Sequence, residues 1–361
     1  MRLNPRMLIN LEKITVNTRE VTNICVTQGI GVIGVTKAVC GDPNVALAML
    51  EGGVQGLADA RIENIKRIRK AGIKHPVILL RSPMLSEIED VVASTNISLN
   101  SEPEVLSKIS QYATDDGIVH RVILMIDVGE IREGILPANI FKIGNHIKGL
   151  KGIKVIGVGT NLACYSGVKP TIENMKLLLS TGSELEKILG YRLSVYSGGN
   201  SSGLEPLQGG LIPAGINQFR IGESILLGRY LYSDEQIAGC SSDTFILTAE
   251  IIELKEKPSI PFGELGLNTF GDNDNNDQLK IHHRAIAAIG RQDLPPESIQ
   301  PVSGLSKLNI RVIGATSDHT VIDLGTNSKA LKVGGELHFN LNYQGLLAAM
   351  TSPYVYKKYV N

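Results

Sequence analysis

The chain has 361 residues, 43% of them hydrophobic with six Phe and no Trp, which allows two domains with cores built from Ile, Leu and Val. Thirty-six basic residues balance thirty-six acidic ones, leaving no broad basic field for nucleic acid. No apolar run approaches the roughly 18 residues that span a bilayer.

In chain order, MLINLEKI (7–14) has strand character ahead of a helix over 15–29, and it is free to pair with a C-terminal sheet. Glu12 and Lys13 cut its apolar stretch too short for a signal peptide, so a cytoplasmic protein is expected. From residue 30 to about 230, short apolar runs alternate with helix-period segments. Strands are predicted at 31–36, 56–59, 77–80, 97–100, 121–127, 153–159, 192–197 and 218–221. Helices are predicted at 43–51, 61–71, 102–112 and 172–189. Pro43 and Pro103 follow Asp42 and Glu102, where first-turn prolines are tolerated. Eight β/α units predict a closed (β/α)₈ barrel over 12–235, with a doubly wound open sheet as the alternative.

After about residue 240 the texture changes. Segments 244–254, 284–289, 308–314, 320–324 and 336–343 are strand-like, and no long amphipathic helix separates them. They predict a mostly β domain over 236–361, joined by the N-terminal strand within 1–11. The segment 268–280 is almost wholly polar and reads as a solvated, mobile loop. Cys25, Cys40, Cys164 and Cys240 form no CxxC pair and read as free thiols. His75, His120, His146 and His338 read as surface or turn residues, and His282 and His283 as solvated.

The first barrel strand ends in Lys37, and lysine is seldom placed near a core without a partner or a task. In such a barrel, active-site groups lie at strand C-termini and phosphate binds beyond strands seven and eight. Strand seven runs into SGGNSSG (197–203), whose small residues and hydroxyls are the ingredients of an anion cradle. Strand eight runs into Arg220-Ile221-Gly222-Glu223-Ser224. A Gly-Ser loop alone is most often a plain turn; its coincidence with a lysine at strand one is more specific. A buried lysine opposite a phosphate cradle suits pyridoxal 5'-phosphate, which needs an amine, a phosphate site and a partner for its ring nitrogen. A phosphate-binding metabolic barrel without Schiff-base chemistry is the alternative.

The motifs GVTKAVCG (34–41), IDVGEIREG (126–134), SGGNSS (197–202), FRIGESILLG (219–228) and LNY (341–343) resemble those of alanine-racemase-like, fold-type III pyridoxal-phosphate enzymes. The resemblance spans essentially the whole chain and is nearest to the ornithine racemase branch. It implies a (β/α)₈ barrel followed by a β domain, and a racemase of ornithine or a related basic amino acid. It also implies a homodimer with shared active sites. Carried over by position, Lys37 becomes the Schiff-base lysine, and Asn200, Ser201, Ser202, Gly222, Glu223 and Tyr343 fall where the family holds phosphate. Arg220 falls at the pyridine nitrogen, where a group that does not readily give up a proton weakens the electron sink and limits side reactions. Asn161 takes the place of a ring-proximal histidine. Arg132 matches the arginine near the substrate carboxylate; read by itself it is a surface partner of Glu130 or Glu133.

One departure matters. The family's second base is a tyrosine from the partner subunit's β domain, and KPSIPFGELG (257–266) carries Phe262 instead. His319 in GATSDH, a stretch resembling a family segment that reaches the partner's site, is the first candidate for that base, with Cys40 a more distant one. Asp318 is suited to meeting a cationic substrate side chain. No metal is assigned in this reading. The competing one is a metal-assisted enzyme of the D-threonine aldolase or D-serine dehydratase type, with Asp318 and His319 as ligands. A non-catalytic pyridoxal-phosphate carrier is disfavoured by the β domain.

Overall fold

The computed structural model describes residues 3–258, 260–264, 266–267, 270, 281–302, 310–325 and 331–360. The chain divides into two compact units, Leu11–Ser242 and a second made of Met1–Asn10 with Asp243–Asn361. Strand β1 (Arg6–Asn10) belongs to the second unit, and helix α1 (Leu11–Val26) opens the first.

The first unit continues with strands β2 (Gly31–Val35), β3 (Gly56–Asp59), β4 (Val77–Leu79), β5 (Ile97–Asn100), β6 (His120–Met125), β7 (Ile153–Gly159), β8 (Val195–Ser197) and β9 (Gln218–Ile221). They close into a barrel in chain order, β9 pairing in parallel with β2 through Ile33 and Arg220. Strands covered on both faces give the continuous apolar runs by which the sequence marks them. Ile33, Val35, Ala58, Ile78, Ile97, Leu99, Ile123 and Met125 pack together as one buried cluster. Around the strands run α2 (Pro43–Glu51), α3 (Ile62–Lys70), α4 (Ile88–Ser94), α5 (Pro103–Asp115), α6 (Ile140–Lys148), α7 (Ile172–Leu189), α8 (Leu204–Gln208) and α9 (Glu223–Leu227). Asp42 caps α2 by accepting the Asn44 and Val45 N–H groups, with Pro43 in the first turn.

Two expectations need correction here. Residues 236–242, assigned above to the β domain, stay with the barrel unit: the Ser241 N–H donates to the Asn17 side-chain oxygen at 2.7 Å, and the Asn17 amide donates back to the Ser241 carbonyl at 2.8 Å. His120 is not a surface residue; it is 3% exposed at the start of β6, its Nε2 2.9 Å from the Ser98 hydroxyl.

The second unit is built on the long β10 (Phe245–Pro258), which pairs antiparallel with β1, β11 (Ile281–Ala287) and β15 (Glu336–Leu341). Strand β12 (Ile299–Pro301) extends the sheet beyond β15, while β14 (Thr320–Asp323) and β13 (Arg311–Ala315) extend it beyond β11. Strand β16 (Tyr356–Val360) lies parallel to β1. The predicted strand 336–343 stops short because Asn342 accepts the Gly345 N–H at 3.0 Å and caps α10 (Tyr343–Thr351), which Tyr343 opens. Apart from Phe270, the polar segment 268–280 lies outside the described residues. Among the described residues no helix is long and apolar enough to cross a membrane.

Candidate active site

Strand β2 ends at Val35, and the next residue, Thr36, is fully buried and held by the Asp59 carboxylate at 2.7 Å. Asp59, at the end of β3, also accepts the Asn64 amide and the Arg61 N–H. Burial raises the pKa of this carboxylic acid, and its hydrogen bonds work in the opposite direction. From this anchor the chain turns out into a single 3₁₀ turn, Lys37–Val39. Lys37 is therefore exposed, which corrects the expectation of a buried lysine. Cys40 closes the turn in a left-handed conformation, φ 54°, and its carbonyl accepts the Arg67 guanidinium.

On strand β9, adjacent to β2, Arg220 is 3% exposed and donates to the Ser197 hydroxyl and, at 2.7 Å, to the Thr160 carbonyl. Burial pushes this guanidinium down to about 10, still well above neutrality. Asn200, just beyond β8, donates through its amide to the Asn161 side-chain oxygen and the Leu162 carbonyl at 2.9 Å each, and to the Cys164 sulfur at 3.2 Å. Its own oxygen accepts the Ser202 N–H at 2.8 Å. Asn161 donates to the same sulfur at 3.2 Å.

The stretch Asn200–Gly203 meets the start of α9 where the Ser224 N–H donates to the Ser201 hydroxyl at 3.2 Å. A Cβ at Gly222 would stand 3.0 Å from the Val35 side chain and carbonyl, so a larger residue fits only if the end of β2 gives way by a few tenths of an ångström. The Ser202 and Ser224 side chains, 1% and 0% exposed, have hydroxyl oxygens with no hydrogen bond of regular geometry among the described residues. Enclosed hydroxyls left unsatisfied in a glycine-lined turn fit an oxyanion such as the cofactor's phosphate. Glu223 is half-buried, and burial pushes its carboxyl up to about 7 although the Lys37 ammonium acts to lower it.

Arg132 follows β6 and pairs with Glu133. Glu130, the other acid considered for it, does something different: 2% exposed, its carboxylate accepts the N–H groups of Ala163, Cys164, Tyr165, Ser166 and Val168. Burial acts to raise its pKa, and these donations outweigh that and lower it. The loop carrying Asn161 and Cys164 is thus tied to the loop carrying Arg132. Cys40, Ile131 and Ala163, all non-glycine residues with positive φ, sit in the loops after β2, β6 and β7. Such strain concentrates where surrounding structure over-determines the backbone, as at binding sites.

Lys37, Arg132, Asn161, Asn200, Ser201, Ser202, Arg220, Gly222 and Glu223 all lie at the C-terminal ends of barrel strands or in the loops that follow them. Tyr343, Asp318 and His319 belong to the other unit. Asp318 and His319 are exposed at the turn joining β13 and β14, and the His319 carbonyl accepts the Thr316 N–H at 2.8 Å. Tyr343 is half-buried at the first position of α10, and Phe262 is 91% exposed. Among the described residues no three His, Cys, Asp or Glu side chains gather as metal ligands would. Sequence reasoning missed Cys164, Asp59 and the loop-holding role of Glu130, which left a signal only as an acid set between Gly129 and Ile131 beyond the strand.

Residues 9–229 match the family model described as alanine racemase, N-terminal domain. The chain is 41% identical to the lysine racemase of Thermotoga maritima over 98% of each chain. It is 37% identical to the ornithine racemase of Acetoanaerobium sticklandii over 98% of this chain and 99% of that one. The alanine racemase of a D-cycloserine-producing Streptomyces lavendulae superposes over 100% of this chain and 98% of its own with a TM-score of 0.78 at 18% identity, sharing the fold. Barrel and β unit agree with these matches, and the chain belongs to the alanine racemase family of pyridoxal-phosphate-dependent amino-acid racemases.

Proposed function

We propose that this racemase interconverts the enantiomers of a basic amino acid, ornithine first and lysine next. The observation that carries the chemistry is the pairing of a lysine at the end of β2 with the orphan-hydroxyl cradle beyond β8 and β9. The choice of substrate is supported by whole-length relatives named lysine racemase and ornithine racemase.

Pyridoxal phosphate, when bound, supplies the electron sink that makes the substrate Cα–H acidic. In this reading Lys37 would provide the amine that holds the cofactor and would move the substrate Cα proton on one face. Arg220 meets the ring nitrogen while keeping its own proton, and its bonds to Ser197 and Thr160 fix its direction. Asn200, Ser201, Ser202, Gly222, Glu223 and Tyr343 hold the phosphate. Asn161 flanks the ring, and Arg132 receives the substrate carboxylate. His319 of the partner subunit serves the opposite face, and the partner's Asp318 faces the cationic side chain. A homodimer with shared sites follows from that division, and the exposure of Lys37 in a single chain supports it, because carbanion chemistry requires exclusion of water.

The test combines two measurements. Borohydride should fix the cofactor to the peptide carrying Lys37, and chiral product analysis should show racemisation of ornithine or lysine in preference to alanine. Label on another lysine overturns the site, and a fully loaded enzyme that racemises neither basic amino acid overturns the substrate.

A further inference from the structure

We infer that the Tyr232 phenol is an additional donor to the anion in the cradle, a role the family motifs do not assign to it; the inference rests on reading that cradle as the phosphate site. Tyr232 follows α9 in the chain and is half-buried. Its hydroxyl oxygen is fully enclosed, and its one neighbour of hydrogen-bonding type among the described residues is the Ser202 hydroxyl; two hydroxyls that share a hydrogen bond use one of their two protons and leave the other for an outside acceptor. Ser202, Ser224 and Tyr232, on separate segments, each carry a buried hydroxyl outside the hydrogen bonds of regular geometry, and the Tyr232 and Ser202 hydroxyls adjoin. Folding retains an enclosed, unused hydroxyl proton when something outside the chain satisfies it.

The phenol is also aimed. The Lys169 ammonium stands 4.7 Å over the ring centroid, and the Tyr232 N–H donates to the Glu205 carboxylate at 2.9 Å. Ring and backbone are thus each held by a charged side chain, and Lys169 adds positive charge beside the phenol. The nearby carboxylates are already occupied: Glu205 takes the N–H groups of Tyr232 and Ser233, and Glu130 takes those of the Asn161 loop. Burial raises the pKa of the phenol, with the Ser202 contact acting against it, so the hydroxyl keeps its proton and remains a donor.

The experiment compares pyridoxal 5'-phosphate with pyridoxal, which lacks the phosphate. Full-length apoprotein, wild type and Tyr232→Phe, is titrated with each compound and followed by the absorbance of the bound chromophore. Loss of a hydrogen bond to a charged group should weaken pyridoxal 5'-phosphate by roughly tenfold or more in the variant and leave pyridoxal unchanged. The thermal midpoint of the apoprotein should hold or rise, since the substitution removes a buried hydroxyl outside the hydrogen bonds of regular geometry. Equal affinity of both proteins for pyridoxal 5'-phosphate overturns the inference and leaves the proposed function standing. Equal weakening of both compounds, or a fallen apoprotein midpoint, also overturns it by making the effect one of folding. A wild-type protein that binds neither compound removes both readings.

Discussion

The Asp59 carboxylate accepts the Thr36 hydroxyl at 2.7 Å, one residue before Lys37. It also takes the Asn64 amide at 2.9 Å and the Arg61 N–H at 3.0 Å, so the floor of the lysine loop hangs from one fully buried acid. Asp59→Ala leaves these donors facing a void. We expect a loss of about 2–4 kcal/mol in urea unfolding, the usual cost of breaking a buried network. We also expect slower borohydride labelling of Lys37 under native conditions. Wild-type stability and labelling in this variant would show that the loop is held by other contacts.

Glu130 holds the opposite side of the mouth. With its carboxylate filled by five loop N–H groups, Glu130→Gln replaces one acceptor oxygen by an amine facing donors. Amide hydrogen exchange across 163–168 should accelerate while exchange in β6 and β7 stays slow. The pH dependence has a definite sign. A carboxyl whose folded pKa is lowered stabilises the fold above its unfolded pKa, and that contribution is lost as pH falls through the folded value. The Gln variant should therefore lose less stability than wild type on acidification below about pH 4. Unchanged exchange in the loop would deny Glu130 this positioning role.

The barrel is legible in the sequence because parallel strands covered on both faces must be apolar throughout, and the candidate cradle because a Gly-Ser loop after strand seven coincides with a lysine after strand one. What the sequence conceals is contact between loops. Glu130 and Cys164 are 34 residues apart, and no periodicity links an acid after one strand to the amides after the next. Lys37 reads as buried because an apolar run leads directly into it, whereas Asp59 captures Thr36 and the chain turns outward. His120 reads as a turn residue because the preceding Asp-Asp-Gly is turn-like, and only the barrel register reveals that it opens a buried strand.

His120 gives a second, separate pH window. Burial, with the Arg121 charge nearby, pushes its imidazole down to about 4. The unfolded chain takes up this proton as pH falls through 6.5, while the native protein resists until about 4. Stability is therefore unaffected above that window and falls across it, by roughly 3 kcal/mol in full. Replacing His120 by Gln should flatten the limb between pH 6.5 and 4 in chemical unfolding. A limb of unchanged slope in the variant would assign the acid sensitivity to other groups.

The last prediction concerns the face opposite Lys37. Racemisation needs a proton removed from one face and delivered to the other, and Phe262, where the family tyrosine is expected, cannot carry one. His319 and Asp318 are both exposed at the turn between β13 and β14, so neither is packed into the core of its own unit. His319→Asn should retain the bound chromophore and lose turnover on the order of 10²–10⁴-fold, the cost of a missing general base. Adding Phe262→Tyr to that variant should recover part of the loss by restoring a phenol at the family position. Asp318→Asn should raise KM for ornithine and leave a neutral amino acid less affected, since it removes only the charge that meets the side-chain ammonium. Near-normal ornithine turnover by His319→Asn moves the second base elsewhere, and a KM rise shared equally by neutral substrates removes Asp318 from charge recognition.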